Sequence, residues 1–184
     1  MREASETEPL PVRQARQGDP DAWETLLRRY RLPVYAYVFE LVHDEQAALD
    51  IAQEAFINAA RHIDGLREDG KFGSWLFNIA HQKAAQHWRR RRPEAEPLEP
   101  DDEELASGDP GPEEQLIRAE QEAGVMKALE ELPGPHRAVL LLHVLEEFSL
   151  EEIAQITGAP TGTVKSRLHY ARKALRKLLE EKAG

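Results

Sequence analysis

The sequence predicts an all-α protein made of two small helical domains joined by a flexible acidic linker. Apolar residues recur at spacings of three and four through most of the chain, and no stretch shows the sustained alternation of a strand. A proline-rich segment with a single sign of charge separates the two helical regions. The chain contains no cysteine, which excludes disulfides, thiolate zinc sites and cysteine nucleophiles.

The net charge of −10 comes from the segment between the two helical regions. Residues 93–117 contain ten acidic residues and no basic one, whereas the acidic and basic residues on either side balance. Five prolines and two glycines within residues 93–112 are typical of a disordered linker. We therefore predict an N-terminal tail over 1–13, a first domain over 14–92, the linker over 93–115 and a second domain over 116–184.

The first domain is predicted to contain three or four helical stretches, of which three can be delimited. The first covers residues 21–39, and Pro33 is where it would bend, because proline lacks an amide donor. The second covers about 44–62 and carries a stripe of small residues suited to close helix packing. A loop over 63–71 contains Gly65 and Gly70. The third helix follows the loop and ends in the four arginines of residues 89–92.

The second domain is predicted to contain a helix-turn-helix. A helix over about 112–132 stops at the Pro-Gly-Pro sequence of residues 133–135, and another covers about 136–146. Ser149 and Glu152 have the spacing of a capping box before a short helix that ends at Gly158. A long helix over about 161–180 follows this glycine turn, which completes the motif. Its predicted buried stripe consists of Val164, Leu168, Ala171, Leu175 and Leu178.

The last helix gives the clearest indication of function. Its remaining positions are rich in lysine and arginine, with no acidic residue before Glu180. A recognition helix reads base edges through its N-terminal turns, and further basic residues neutralise phosphates. A solvated amphipathic helix is the simpler alternative, but the capped helix and the glycine turn before it favour binding to duplex DNA.

Aromatic and basic residues are combined in the third helix of the first domain, a mixture that suits single-stranded DNA. Periodicity alone favours a core role for Phe72 and Trp75, so both interpretations stay open. The polar side of the second helix, which includes Asp50 and Glu54, is by itself an ordinary solvent-exposed surface.

Both domains contain short motifs of a known family. Residues 152–154 (EIA), 162–168 (GTVKSRL) and 171–172 (AR) together resemble region four of the extracytoplasmic-function (ECF) sigma factors, a group of the bacterial sigma-70 family. Residues 50–56 (DIAQEAF) resemble region 2.2, and Phe72, Trp75-Leu76 and Ile79-Ala80 resemble regions 2.3 and 2.4. The resemblance covers about residues 14–92 and 116–179, in the order found in the family.

This resemblance implies promoter-specific initiation of transcription and three sets of binding residues. The set implied for the beta-prime subunit of core RNA polymerase is Leu49, Asp50, Gln53, Glu54 and Ile57. The set implied for the minus-ten element, where the loop over 63–71 would capture a flipped base, is Lys71, Phe72, Ser74, Trp75, Asn78 and Lys83. The set implied for the minus-thirty-five element is Thr161, Thr163, Lys165, Ser166, Arg167, His169, Tyr170 and Arg172.

The resemblance also implies partners: the beta-prime and beta subunits of core RNA polymerase, promoter DNA and an anti-sigma factor. The free protein is expected to be monomeric and cytoplasmic. Tyr170 stands where relatives often carry a basic residue, and Glu147 stands where they often carry glycine, so the promoter preference and the entry to the helix-turn-helix are expected to differ.

No metal, cofactor or catalytic site is predicted, and the chain is not expected to be an enzyme. The histidines form no pair at the four-residue spacing of a helical metal site, and the sequence has neither a phosphate-binding glycine loop nor a nucleophile elbow. Its start lacks the pattern of a signal peptide, and no apolar run is long enough to span a membrane.

Two alternative functions remain beside the one implied by the resemblance. The first is a stand-alone helix-turn-helix regulator that binds duplex DNA as a dimer. The second is an interaction module that titrates a regulator and initiates nothing.

Overall fold

A computed structural model describes residues 10–91 and 129–183 of the chain. In these two ranges every regular element is helical, which confirms the predicted all-α class. The chain divides into two compact units, one holding residues 10–91 and the other holding most of residues 129–183. The predicted linker and most of the helix predicted over 112–132 lie outside the described residues.

Within residues 10–91, the N-terminal unit contains four helices and two short 3-10 turns. The helices are α1 (Val12–Arg16), α2 (Pro20–Val42), α3 (Glu45–His62) and α4 (Phe72–Arg91). The 3-10 turns Ile63–Gly65 and Asp69–Lys71 lie in the loop between α3 and α4. Helix α1 was not predicted from the sequence, because its five residues are too few to show a periodic apolar pattern.

Side-chain caps begin the two helices α2 and α3. The Oδ1 atom of Asp19 accepts from the backbone N–H of Asp21 at 2.9 Å, and Oδ1 of Asp44 accepts from that of Ala47 at 3.0 Å. Each cap satisfies an amide that has no partner within the first turn of its helix. Between the two helices, His43 takes a left-handed conformation (φ 51°) and ends α2.

Helix α2 continues through Pro33 as one element, so the sequence was right about a helix here but did not foresee its length of 23 residues. The missing amide hydrogen bond at Pro33 is tolerated because the helix is held by tertiary packing. Tyr30, Val34, Tyr37 and Val38 are all buried on the side of α2 that meets α3 and α4.

The core of this unit lies between α2, α3 and α4. The predicted small-residue stripe of α3 is confirmed, since Ala48, Ala52, Ala55 and Ala59 are all buried. Such small side chains allow the neighbouring helices to approach closely. Larger side chains from α4 fill the remaining space, and those that are fully buried are Phe72, Leu76 and Phe77.

The C-terminal unit contains α5 (Gly134–Leu145), α6 (Leu150–Thr157) and α7 (Thr161–Ala183). Helix α5 begins two residues before the predicted start, because Pro135 lies in the first turn, where proline needs no amide partner. Helices α5 and α7 pack directly on each other. Of the predicted α7 stripe, Val164, Leu168 and Ala171 are buried.

The predicted capping box at the start of α6 is confirmed. The backbone N–H of Glu152 donates to Oγ of Ser149 at 3.2 Å, and the N–H of Ser149 donates to Oε2 of Glu152 at 3.0 Å. Gly158 follows α6 with φ of 67°, a conformation that favours glycine. Helix, glycine turn and helix are therefore present as predicted.

Arg137 is a buried cation whose role the sequence did not indicate. Its side chain is only 6% exposed and donates to the carbonyl oxygens of Leu129, Glu130 and Leu132. These carbonyls belong to the end of the preceding helical segment, so one guanidinium fixes that end against α5.

Candidate functional site

The candidate site consists of three surfaces, and the first is on α3. All five residues of the set implied for core polymerase are exposed along this helix, opposite its buried alanines. The apolar members are Leu49, which is 47% exposed, and Ile57, which is 43% exposed. They lie eight residues apart and therefore share one side of the helix. We call the exposed surface formed by Leu49, Asp50, Gln53, Glu54 and Ile57 the α3 surface.

Two hydrogen bonds organise the acidic part of the α3 surface. Oδ1 of Asp50 accepts from Nε2 of Gln46 at 2.9 Å, within the same helix. Oε2 of Glu54 accepts from Nζ of Lys83 on α4 at 2.8 Å. This hydrogen bond and the charge of Lys83 hold the pKa of Glu54 below its usual range, and the charge of Arg90 adds to the effect. The structure thus joins two residues that were assigned to different partners.

The second surface surrounds the start of α4 and contains the set implied for the minus-ten element. Lys71 is exposed and Trp75 is partly exposed, whereas Phe72 and Ser74 are buried. The Phe72 ring contacts the rings of Trp23, Tyr30 and Trp75 at centroid distances of 6.3, 5.6 and 6.1 Å. The burial of Phe72 favours the core role that periodicity indicated, in which its ring packs against that of Trp75.

Polar groups of this surface are partly engaged with one another. Oγ of Ser74 donates to the carbonyl oxygen of Lys71 at 3.2 Å, in the first turn of α4. Oδ1 of Asn78, which is partly exposed, accepts from Nε2 of Gln82 at 2.9 Å. With Lys83 bonded to Glu54, the exposed cation nearest to the start of α4 is Lys71.

Gly73 allows α4 to begin close to α2, a feature that the sequence analysis did not single out. A Cβ atom at this position would lie 2.8 Å from the Tyr30 hydroxyl oxygen and 3.2 Å from its ring. No real side chain tolerates such a distance without a shift of its neighbour. A larger residue at position 73 would therefore require the Tyr30 side chain or the start of α4 to shift.

Arg16 of α1 is a further residue that the sequence analysis missed. Its guanidinium donates to the loop between α3 and α4 and forms an ion pair with Asp69 at 2.8 Å. No signal in the sequence would have found it, because α1 itself was not predicted and the partners are about 50 residues away.

The third surface is the outer side of α7 and contains the set implied for the minus-thirty-five element. Thr161, Lys165 and Arg172 are exposed in the first three turns, and the other five members are partly exposed. Oγ of Ser166 donates to the carbonyl oxygen of Thr163 at 3.0 Å. Beyond Arg172 the exposed basic residues continue along the helix with Lys173, Arg176 and Lys177.

His136 of α5 contacts this third surface, and the sequence analysis gave it no specific role. Its ring meets that of Tyr170 edge to face at 6.3 Å, and His169 meets the same tyrosine at 5.9 Å. Burial lowers the pKa of His136 and the neighbouring charge of Arg167 lowers it further. Burial also lowers the pKa of Arg167.

In the described ranges, no helix combines the length and the apolar content needed to cross a bilayer.

Family models match the chain in both units. The model for sigma-70 region 2 matches residues 26–94, and the model for sigma-70 region 4 matches residues 123–175. The first match includes the α3 surface and the start of α4, and the second includes the helix-turn-helix. Together the two matches contain all three candidate surfaces.

Curated relatives are similar over nearly the whole chain. The RNA polymerase sigma-H factor of Pseudomonas aeruginosa is 37% identical over 177 residues, which is 92% of this chain and 92% of the relative. The ECF RNA polymerase sigma factor SigW of Bacillus subtilis is 32% identical over 179 residues, which is 92% of this chain and 95% of the relative. The chain therefore belongs to the ECF group of sigma-70 family RNA polymerase sigma factors.

Solved structures show a similar fold. A structure of CnrH in complex with the cytosolic domain of CnrY has a TM-score of 0.68 and 23% identity, and the match covers 94% of this chain and 97% of that one. The sigma factor RpoE of Bartonella quintana, solved with the anti-sigma factor NepR, has a TM-score of 0.64 and 23% identity, and the match covers 85% of this chain and 96% of that one.

Proposed function

We propose that this sigma factor directs core RNA polymerase to promoters and is itself a non-catalytic specificity subunit. The observation that carries the proposal is that the two units present exposed surfaces of different composition, mixed polar and apolar on α3 and cationic on α7. Surfaces of such different character suit different partners, one a protein and the other DNA.

The α7 surface is proposed to read the minus-thirty-five element in the major groove. Thr161 and Lys165 are exposed in the N-terminal turns, where a recognition helix reaches base edges. Arg172, Lys173 and Arg176 are exposed further along, where they suit contacts to phosphates. Thr163, Ser166, Arg167, His169 and Tyr170, which are partly exposed, complete the proposed set.

The start of α4 and the loop before it are proposed to bind the opened minus-ten strand. Lys71 and the partly exposed Trp75 supply a cation and a stacking ring, the two groups that single-stranded DNA needs. Asn78 and Lys83 extend the surface along α4. The buried residues Phe72 and Ser74 are proposed to act indirectly, by holding Trp75 and the first turn of the helix.

The α3 surface is proposed to bind the beta-prime subunit of core polymerase. Leu49 and Ile57 are large apolar side chains that remain exposed in the chain, and such residues are frequent in protein interfaces. The polar and charged contacts that select the partner would come from Asp50, Gln53 and Glu54, which lie between these two apolar residues in the sequence. A contact of the second unit with the beta subunit is part of the same proposal.

The remaining proposals concern the oligomeric state of the protein, its localisation and its regulation. We expect a monomeric, cytoplasmic protein that is held inactive by an anti-sigma factor. The support is that RpoE of Bartonella quintana, a sigma factor of similar fold, was solved with an anti-sigma partner.

The decisive experiment is run-off transcription with purified core polymerase on a promoter library, alongside sizing of the free chain. We expect promoter-dependent transcripts only when the chain is added, and a monomer that binds free duplex DNA weakly. A dimer that binds duplex DNA tightly and makes no transcripts would support the stand-alone regulator instead. Failure to bind core polymerase at all would overturn the proposal.

A further inference from the structure

Helix α1 places a guanidinium against the loop over residues 63–71. Nε of Arg16 donates to the carbonyl oxygen of Ile63 at 3.5 Å. Nη2 donates to the carbonyl oxygen of Leu66 at 3.0 Å and to Oδ1 of Asp69 at 2.8 Å. These acceptors lie at the beginning, the middle and near the end of the loop, so one side chain from outside the loop holds three points along it.

Backbone hydrogen bonds close the two 3-10 turns of the loop locally: the N–H of Leu66 donates to the carbonyl oxygen of Ile63 at 3.1 Å, and the N–H of Lys71 donates to that of Glu68 at 2.9 Å. Ile63 and Leu66 are buried and anchor its first half, but a Cβ atom added at Gly65 or Gly70 would meet no atom within 4 Å. Glycine loses more conformational freedom on ordering than any other residue, so fixing a loop that contains two glycines in one conformation costs conformational entropy. The hydrogen bonds of Arg16 reduce the number of conformations before any ligand binds.

The position of Arg16 is itself fixed by packing. In α1, Val12 and Ala15 are buried, and the carbonyl oxygen of Ala15 accepts from Nε1 of Trp23 at 2.9 Å. The Trp23 ring contacts Phe72, and Phe72 contacts Trp75, so α1 belongs to the same packed group as the partly exposed tryptophan. Helix α1, which carries Arg16, is thus linked to Trp75 through Trp23 and Phe72.

Charge gives Arg16 a second effect on the loop. The loop carries the acidic residues Asp64, Glu68 and Asp69 against the basic residues Arg67 and Lys71. An acidic excess next to a DNA strand is unfavourable, because carboxylates and phosphates repel each other. The ion pair between Arg16 and Asp69, whose side chains are 28% and 39% exposed, offsets that excess.

We propose that Arg16 is a positioning residue for the capture of an unpaired base of the minus-ten strand. It holds the loop over 63–71 in the conformation that accepts the base, and it neutralises the charge of Asp69. A direct contact between Arg16 and DNA is not required. Preorganisation of this kind increases affinity because the ordering cost is met before binding. The inference rests on the proposed function and adds to it a residue from α1.

The test is a double-variant cycle that combines substitutions in the protein with abasic sites in the promoter DNA. Holoenzyme is assembled from core polymerase and the chain, and its affinity is measured for forked promoter DNA with an abasic site at each position of the minus-ten non-template strand in turn. In the wild type we expect one abasic position to reduce affinity by about tenfold or more, the typical effect of one stacked base. With Arg16→Gln we expect the reduction at that position to fall to about twofold, with the other positions unchanged.

Three further variants make the result specific. Arg13→Gln is the matched control, because Arg13 is an exposed residue of the same helix, and it should reproduce the wild-type pattern. Arg16→Lys keeps the charge but lacks the forked geometry, and Asp69→Asn removes only the ionic partner, so both should give intermediate reductions. These two milder variants also serve if Arg16→Gln fails to fold, which thermal melting of the free chain will show.

The possible failures are distinguishable. If Arg16→Gln weakens binding to intact and abasic DNA by the same factor, Arg16 has only a general structural role and the inference is overturned. If no abasic position affects the wild-type holoenzyme, base capture by the loop is itself wrong, and the inference falls with it.

Discussion

At the scale of single residues, Lys83 connects two of the proposed interfaces. It belongs to the proposed minus-ten set but is bonded to Glu54 of the α3 surface at 2.8 Å. The Glu54 side chain is 64% exposed, so solvent screens the pair and its contribution to stability is under about 1 kcal/mol. The pair therefore contributes little to the stability of the fold. It matters more for binding, because its two charged residues are proposed to contact different partners.

Glu54 and Lys83 are predicted to affect binding to different partners, core polymerase and minus-ten DNA respectively. Glu54→Gln should weaken core-polymerase binding by about threefold to tenfold, because a charged interface contact is lost. Lys83→Met should leave that affinity within about twofold and weaken holoenzyme binding to forked minus-ten DNA. Fluorescence anisotropy measures both affinities, with Glu45→Gln, an exposed acidic residue at the start of α3, as control. Loss of the same affinity in both variants would contradict the assignment.

His136 is the residue whose titration bears most directly on α7. Burial and the charge of Arg167 lower its pKa below the usual value of 6.5. A histidine whose pKa is lowered in the folded state stabilises the fold fully above pH 6.5. That stability is lost as the pH falls below 6.5 toward the lowered value, because the unfolded chain takes up the proton more readily. Protonation would also place a second positive charge beside Arg167.

We predict that the melting temperature falls between pH 7.5 and pH 5.5, and that His136→Phe reduces this fall. Phenylalanine keeps an aromatic ring against Tyr170 and cannot take up a proton. His143→Gln, seven residues further along α5, is the matched control and should retain the wild-type dependence. Circular dichroism at a series of pH values measures the effect. An identical pH dependence for His136→Phe and the wild type would show that another group is responsible.

At the scale of elements, the start of α4 depends on its approach to α2. Tyr30 is buried and its ring packs on Phe72 at 5.6 Å, so it has little freedom to move away from residue 73. Alanine has a higher helix propensity than glycine by about 1 kcal/mol, but in this place the added methyl group would overlap the Tyr30 hydroxyl. The steric effect is expected to exceed the gain in propensity.

Gly73→Ala is therefore predicted to destabilise the chain by about 1–3 kcal/mol, the usual range for overpacking a core. Adding Tyr30→Phe removes the oxygen atom at 2.8 Å and should recover part of this loss. Urea unfolding of the two single variants and the double variant measures the coupling between them. Strictly additive effects would show that the contact with Tyr30 is not the cause.

At the scale of the whole molecule, the basic residues of α7, the helix proposed to bind DNA, and the acidic residues responsible for the net charge lie in different segments of the chain. The exposed basic residues of α7 favour phosphates, yet the chain carries a net charge of −10. Ten acidic residues in 93–117 account for this value, because acidic and basic residues balance in the rest of the chain. A net negative charge opposes encounter with DNA at low salt, so the free chain is expected to bind duplex DNA weakly.

Replacing these ten acidic residues with serine is predicted to tighten binding of the free chain to duplex DNA by about tenfold or more at low salt. The gain should shrink above about 0.2 M salt, where the Debye length falls below about 8 Å. Replacing the five prolines of the same segment with serine is the control that keeps the charge. Equal affinities of the acidic and the neutral chains at both salt concentrations would contradict this electrostatic account.

The sequence alone was sufficient for the helical class, the helix-turn-helix and the family. Apolar periodicity identified α3 and α7, and the spacing of Ser149 and Glu152 predicted a capping box that is present with both hydrogen bonds. These features depend on residues within a few positions of one another, so local sequence patterns are enough to predict them. The alanine stripe of α3 was predicted for the same reason, whereas the binding role of the opposite side was implied only by the resemblance to ECF sigma factors.

Only the tertiary structure decided which side chains of the candidate site are accessible and which groups hold them. It buried Phe72, joined Glu54 to Lys83 and brought Arg16 to the loop from about 50 residues away. It also placed His136 against Tyr170 and required glycine at residue 73. These contacts join residues that are distant in the chain, and their formation depends on helix packing, which no local pattern of residues specifies.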